Sequence, residues 1–212
     1  GVNALRREIE YLTTLPAVAR SVFPPVLAAW DRANGSHPEV GYEVPYYADH
    51  VDCGELARRI ALSQSEIDAF QDALAHAVLE RVHAPVSSTD QPLSRHVSQV
   101  VYDALHTLEG DLALTRLIAE DRIRINGEPL HGVRAAFARL ESEGPALAAL
   151  DATPQVRLHG DFFLENILWR PSRVPATDAA PQLVLVDPVS VAGIVRGPAV
   201  FDLVKYVSYA TG

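Results

Sequence analysis

The chain has 212 residues, 48% of them hydrophobic and 21% charged, enough for one large domain or two small ones with a real core. Its formal net charge of −9 argues against a nucleic-acid partner held through phosphates. No apolar run approaches the ~20 residues of a membrane-spanning helix, and a single cysteine, Cys53, excludes a disulfide framework or cysteine-based zinc site.

The composition is uneven in other ways. There is no methionine, the chain opens on Gly1, and among 18 lysines and arginines only Lys205 is a lysine. The chain therefore reads as an excised piece of a longer one. It has no basic-then-apolar leader, and with its lone cysteine it is expected in a cytoplasmic setting.

Residues 1–22 are expected to be helical, with Leu5, Ile9, Leu12 and Leu15 on one face and an end or kink at Pro16. Val26 to Trp30 and Val40 to Tyr47 read as two strands of a hairpin around a turn at residues 34–38. Ser63-Gln64-Ser65-Glu66 fits a capping box, in which a side-chain oxygen and a glutamate satisfy the first free backbone donors of a helix. Ile67, Phe70, Leu74, Ala77 and Val78 then form an apolar helical stripe. Residues 83–92 read as a polar link. Further helices are expected over about 93–120 and 130–150, with a turn at Asn126-Gly127-Glu128-Pro129. Strand signals return at Val156-Arg157-Leu158, Ile167-Leu168-Trp169 and Leu183 to Val186, with a loop over 171–182 and a closing helix over 201–209.

The chemistry concentrates in His159-Gly160-Asp161-Phe162-Phe163-Leu164-Glu165-Asn166-Ile167-Leu168. An aspartate is followed five residues later by asparagine, then by a strand, a loop and a second strand ending on Asp187. Phosphoryl transfer needs an attacking hydroxyl held in line and a cation on the phosphate oxygens. Asp161 can accept the hydroxyl proton, and Asn166 and Asp187 offer the hard oxygen ligands that magnesium prefers. Adjacent strands would bring Asn166 and Asp187 together.

This segment resembles the catalytic loop of the aminoglycoside phosphotransferase and choline kinase-like family, relatives of the protein kinases. The resemblance implies that Asp161 is the catalytic base, that His159 orients the loop, and that Asn166 and Asp187 bind Mg2+. It also implies that Asp202, in Gly197-Pro198-Ala199-Val200-Phe201-Asp202, braces the loop. Glu43-Val44-Pro45-Tyr46-Tyr47 resembles the hinge, where Val44 and Tyr46 would meet the base of ATP or GTP. Glu8 falls where the family has a glutamate that pairs with a phosphate-binding lysine. The implied fold is α/β (α+β) and protein-kinase-like. A mostly helical C-terminal lobe, residues 49–212, would carry a small β-hairpin catalytic site, and residues 1–48 would be a remnant of the N-terminal β lobe and the hinge. The implied activity is phosphorylation of a small-molecule hydroxyl, such as that of an aminoglycoside-type antibiotic.

The sequence also departs from the family. Phe163 and Glu165 stand where many members have a histidine and a small residue. No G-x-G loop is present, and Lys205 lies beyond Asp187, out of sequence order for a phosphate clamp. The alternative is thus a non-catalytic kinase-like binding module or fragment of a larger protein. Residues 51–150 hold much of the acidic excess, as a solvated helical surface or as a groove for a cationic acceptor. His50, His76, His83, His96, His106 and His131 show no metal-ligand spacing. A metallophosphoesterase fails because no histidine follows Asn166.

Overall fold

The computed structural model describes residues 2–34, 37–59, 62–86, 93–108, 110–171, 181–189 and 193–210. They fall into two compact units, residues 1–86 with 155–212, and residues 87–154.

In the first unit, helix α1 (Val2–Thr13) buries Tyr11 and Leu12, and the chain kinks at Pro16 before a single turn, α2 (Ala17–Arg20). Strands β1 (Ala28–Asn34) and β2 (His37–Glu43) form the expected antiparallel hairpin, shifted so that Pro45 falls outside the ladder. Residues 35 and 36 of the turn lie outside the described residues. Strand β3 (Val51–Asp52) runs into helix α3 (Cys53–Arg59), an element the sequence pattern does not announce; Asp52 Oδ1 accepts the backbone N–H of Glu55 at its start. Helix α4 (Gln64–Ala75) begins with the full capping box, Ser63 and Glu66 each satisfying the other's backbone donor. It continues as a π-helical segment, His76–Val82, whose wide turn ends with the His83 N–H bonded to Val78 O at 2.8 Å.

The second unit is helical with one hairpin. The helix expected over 93–120 is two helices, α5 (Leu93–Leu108) and α6 (Leu112–Ala119). Asp111 ends the continuity because its carboxylate caps the N–H groups of Ala113 and Leu114. Strands β4 (Arg122–Ile125) and β5 (Glu128–His131) flank the expected turn, and the helix expected over 130–150 begins only after them. Asn126 (φ 52°) and Gly127 (φ 88°) form the left-handed pair that a two-residue hairpin turn requires. Helices α7 (Val133–Ser142) and α8 (Gly144–Ala152) complete the unit, with Ser94 on α5 hydrogen-bonded twice to Asp151 on α8.

The chain then returns to the first unit. Strand β6 (Val156–Arg157) precedes the His159–Asn166 segment, and a 3-10 turn, Leu164–Asn166, leads into β7 (Ile167–Trp169). Strand β8 (Leu183–Leu185) pairs with β7, and β3 adds to its other edge, giving the order β3-β7-β8. Strand β9 (Arg196–Gly197) pairs with β6, and helix α9 (Val200–Ala210) follows. Residues 172–180 of the connecting loop and 87–92 of the polar link lie outside the described residues.

The core of the first unit gathers Tyr11, Leu15 and Phe23 with Val82, Phe162, Ile167, Trp169 and Leu185. Each such side chain contributes roughly 1.5–3 kcal/mol by leaving water. Burial on both faces of β7 and β8 explains why they read as short continuous apolar runs. Cys53 packs in this core, where burial pushes its thiol up and leaves it unreactive. Among the described residues, no helix is long and apolar enough to cross a membrane.

Candidate active site

The segment from Leu158 to Asn166 is held from three sides. From α9, Asp202 Oδ2 accepts the N–H of His159 at 2.8 Å and Oδ1 accepts that of Gly160 at 3.0 Å. From α1, the Tyr11 hydroxyl donates to Leu158 O at 2.8 Å, and burial pushes that hydroxyl's pKa upward. From the stretch after β8, the Val189 N–H donates to His159 O at 2.8 Å. Gly160 has φ +85°, a left-handed conformation that disfavours a Cβ and turns the next residue outward.

His159 is buried against Phe23, with ring centroids 5.8 Å apart, and its Nε2 lies 3.0 Å from Val186 O. The Asp161 N–H donates to Nδ1, which assigns the proton to Nε2. Burial pushes the ring's pKa down to about 4, so it is neutral at pH 7 and serves as a fixed spacer between the loop and β8.

Asp161 comes next, with its side chain about a third exposed. Asn166 Nδ2 donates to Asp161 O at 2.8 Å and approaches Oδ2 at 3.4 Å, closing the five-residue loop on itself. Lys205, the sole lysine, donates to Asp161 Oδ1 at 2.8 Å and to Gly160 O at 2.7 Å. Its ammonium also lies 4.9 Å from the centroid of the Phe163 ring.

The β7–β8 pair sets the acidic side of the site. The Val186 N–H donates to Asn166 O at 3.0 Å, bringing Asp187 beside Asn166 although they are distant in sequence. Asp187 sits at φ 49°, a left-handed strain for a non-glycine residue. Among the described residues, nothing hydrogen-bonds its carboxylate. Asn166 directs its amide nitrogen to Asp161, leaving its amide oxygen for another partner. This donor set fits a magnesium ion, which takes one or two protein oxygens and keeps water or phosphate in its other positions. No group of three or more His, Cys, Asp or Glu among the described residues could cage a metal alone.

Glu8 accepts a 2.6 Å hydrogen bond from the Tyr42 hydroxyl on β2 rather than meeting a lysine. Burial raises its pKa, the Tyr42 bond opposes that shift, and the charge of Asp187 adds to it. Val44 and Tyr46 both line a pocket of about 350 Å³ whose other walls include Pro24, Leu168 and Val186. Tyr46 is 92% exposed.

Both departures from the family pattern have local partners. Phe163 lies under the Lys205 ammonium. Glu165 reaches Arg58 at 3.0 Å across Gly54, where a Cβ would stand 2.8 Å from the Glu165 carboxyl carbon.

No family model and no curated protein matches the sequence. An aminoglycoside phosphotransferase of Streptomyces rimosus ATCC10970, solved with ADP and streptomycin, is similar to 99% of this chain. The match spans 67% of that protein, at 20% identity and a TM-score of 0.61. The same enzyme without those ligands matches at 18% identity and a TM-score of 0.59, over the same shares. The fold is kinase-like. A glucosamine kinase solved with glucosamine, ADP and inorganic phosphate is also similar, at 21% identity and a TM-score of 0.41, over 99% of this chain and 48% of that one.

Within this fold, the sequence motifs lead to Asp161, Asn166 and Asp187 but not to Lys205, His83, Tyr42 or Arg58. Lys205 had one available signal: it stands three residues after Asp202, on the same helical face.

Proposed function

We propose that the chain carries the chemical centre of an ATP-dependent phosphotransferase acting on a small-molecule hydroxyl. The observation that carries this reading is the Asp161 carboxylate, partly open to solvent and fixed in a closed loop beside Asn166 and Asp187, within a kinase-like fold. Asp161 orients the acceptor hydroxyl and takes its proton as the oxygen bonds to the γ-phosphorus and the bond to ADP breaks. Asn166 and Asp187 would hold magnesium, which neutralises charge on the phosphate oxygens. His159 keeps the loop against β8. Val44 and Tyr46 would receive the nucleotide base, and Glu8 supports this side of the site through Tyr42. In lobe terms, residues 1–48 would belong to the N-terminal lobe and hinge, and residues 49–212 to the helical lobe. The acidic excess of residues 51–150 suits a cationic acceptor, an amino sugar among the candidates.

The test is ADP release from magnesium-ATP with aminoglycosides, amino sugars and choline-like alcohols as acceptors. Asp161→Ala is expected to lower turnover by about 10²–10⁴-fold, the usual scale of general-base catalysis, with nucleotide affinity retained. Turnover equal to that of the parent chain would remove Asp161 from the chemistry.

A second reading, a kinase-like module that binds without catalysis, is favoured by one observation. The sole lysine of this sequence is engaged with Asp161 and Gly160 rather than held out toward a phosphate. Calorimetric binding of magnesium-ATP without turnover of any acceptor would select this reading.

A further inference from the structure

We infer that Lys205 is a positioning residue for the Asp161 carboxylate, a role that rests on the phosphotransferase reading above. Asp202 and Lys205 stand three residues apart on α9, one turn of one face. The carboxylate of the first receives the N–H groups of His159 and Gly160. The ammonium of the second donates to the carbonyl of Gly160 and to Oδ1 of Asp161. The two charges therefore meet the loop in complementary order: the anion takes its donors and the cation takes its acceptors.

The Gly160 residue is gripped at both ends, its N–H by Asp202 and its C=O by Lys205. Tethering Oδ1 to the same ammonium fixes the carboxylate relative to that backbone. Without Lys205, the Asp161 side chain keeps, among the described residues, the 3.4 Å approach of Asn166 Nδ2 and can turn about its own bonds. Phe163 supports the ammonium from below, so an aromatic residue at this position has a use here. Lys205 acts through Asp161 and is assigned no contact with nucleotide or acceptor.

Because Lys205 is the only lysine, its environment can be read chemically in the full chain. Acylation by N-hydroxysuccinimidyl acetate, located by mass spectrometry, distinguishes it from the N-terminal amine. Asp161→Asn is expected to speed acylation of Lys205 by about tenfold, the scale of one lost charge-assisted hydrogen bond. Magnesium-ATP is expected to leave the parent rate unchanged or lower. Equal rates in the parent and Asp161→Asn would overturn the contact. Faster acylation with magnesium-ATP would show a displaced occupant instead of a positioning group.

Kinetics supply the second arm. Lys205→Met is expected to lower kcat by about 10²-fold, as misplacement of a reacting group does. The KM for ATP should stay within about twofold, and Lys205→Arg should restore most of the rate. A raised KM with kcat intact would make Lys205 a binding residue and overturn the inference. A parent chain that phosphorylates no acceptor ends the phosphotransferase reading and this role with it, an outcome distinct from loss of the acylation contrast.

Discussion

Nε2 of His83 lies 3.0 Å from Oδ2 of Asp202, and both side chains are almost wholly buried. With the N–H groups of His159 and Gly160, the carboxylate thus gathers donors from two distant segments in a site without solvent. Asp202→Ala leaves those donors unpaired and is expected to lower unfolding free energy by about 3–5 kcal/mol in urea denaturation. Asp202→Asn, which retains one oxygen, should cost less. A loss below about 1 kcal/mol for the alanine variant would mean that the loop finds other partners.

His159 makes stability depend on pH. Its pKa falls from 6.5 to about 4 on folding because burial disfavours the charged ring. The unfolded chain therefore binds this proton first as pH drops. The contribution is constant above pH 6.5, and stability is lost as pH falls from 6.5 to about 4. The loss from this group is on the order of 3 kcal/mol. His159→Asn should flatten that interval relative to the parent in melts taken across it. Parallel curves for the two proteins would contradict the buried neutral ring.

Asp187 and Asp161 are expected to separate in binding experiments. Asp187→Ala removes a hard oxygen from the proposed magnesium position and should weaken magnesium-dependent ATP binding by about tenfold or more. Asp161→Ala should leave that affinity near the parent value. Calorimetry with and without a chelator measures both. Equal affinities for the parent and Asp187→Ala would remove Asp187 from the metal position.

The capping box predicts a local energetic effect. Ser63→Ala removes the side-chain acceptor at the start of α4 and should cost about 1 kcal/mol, the usual loss for an N-cap. Chemical denaturation of the variant, with turnover as a control, measures it.

Local chemistry explains how much could be read from sequence. Ser63-Gln64-Ser65-Glu66 is a contiguous signal and produces the predicted box. The strand–loop–strand after Asn166 yields the antiparallel β7–β8 pair. The turn expected at Asn126-Gly127-Glu128-Pro129 is present as the two-residue loop of the β4–β5 hairpin. Asp111 is legible as an N-cap but outweighed by the helical periodicity around it. The Lys205–Asp161 contact belongs to neither class. It depends on where α9 packs after a separation of 44 residues, and its one local signal is the spacing of Lys205 from Asp202. Glu8 is similar: the resemblance supplies a missing lysine as its partner, while packing against β2 supplies Tyr42.

The π-helical segment before His83 sets how this region tolerates changes of length. One turn there closes five residues back, from the His83 N–H to Val78 O. Such a turn takes up one residue more than ordinary helical winding. Deleting one residue between His76 and Val82 would restore that winding and keep His83 on the face that meets Asp202. The stretch can therefore lose a codon and still hold its anchor beneath the His159–Asn166 loop.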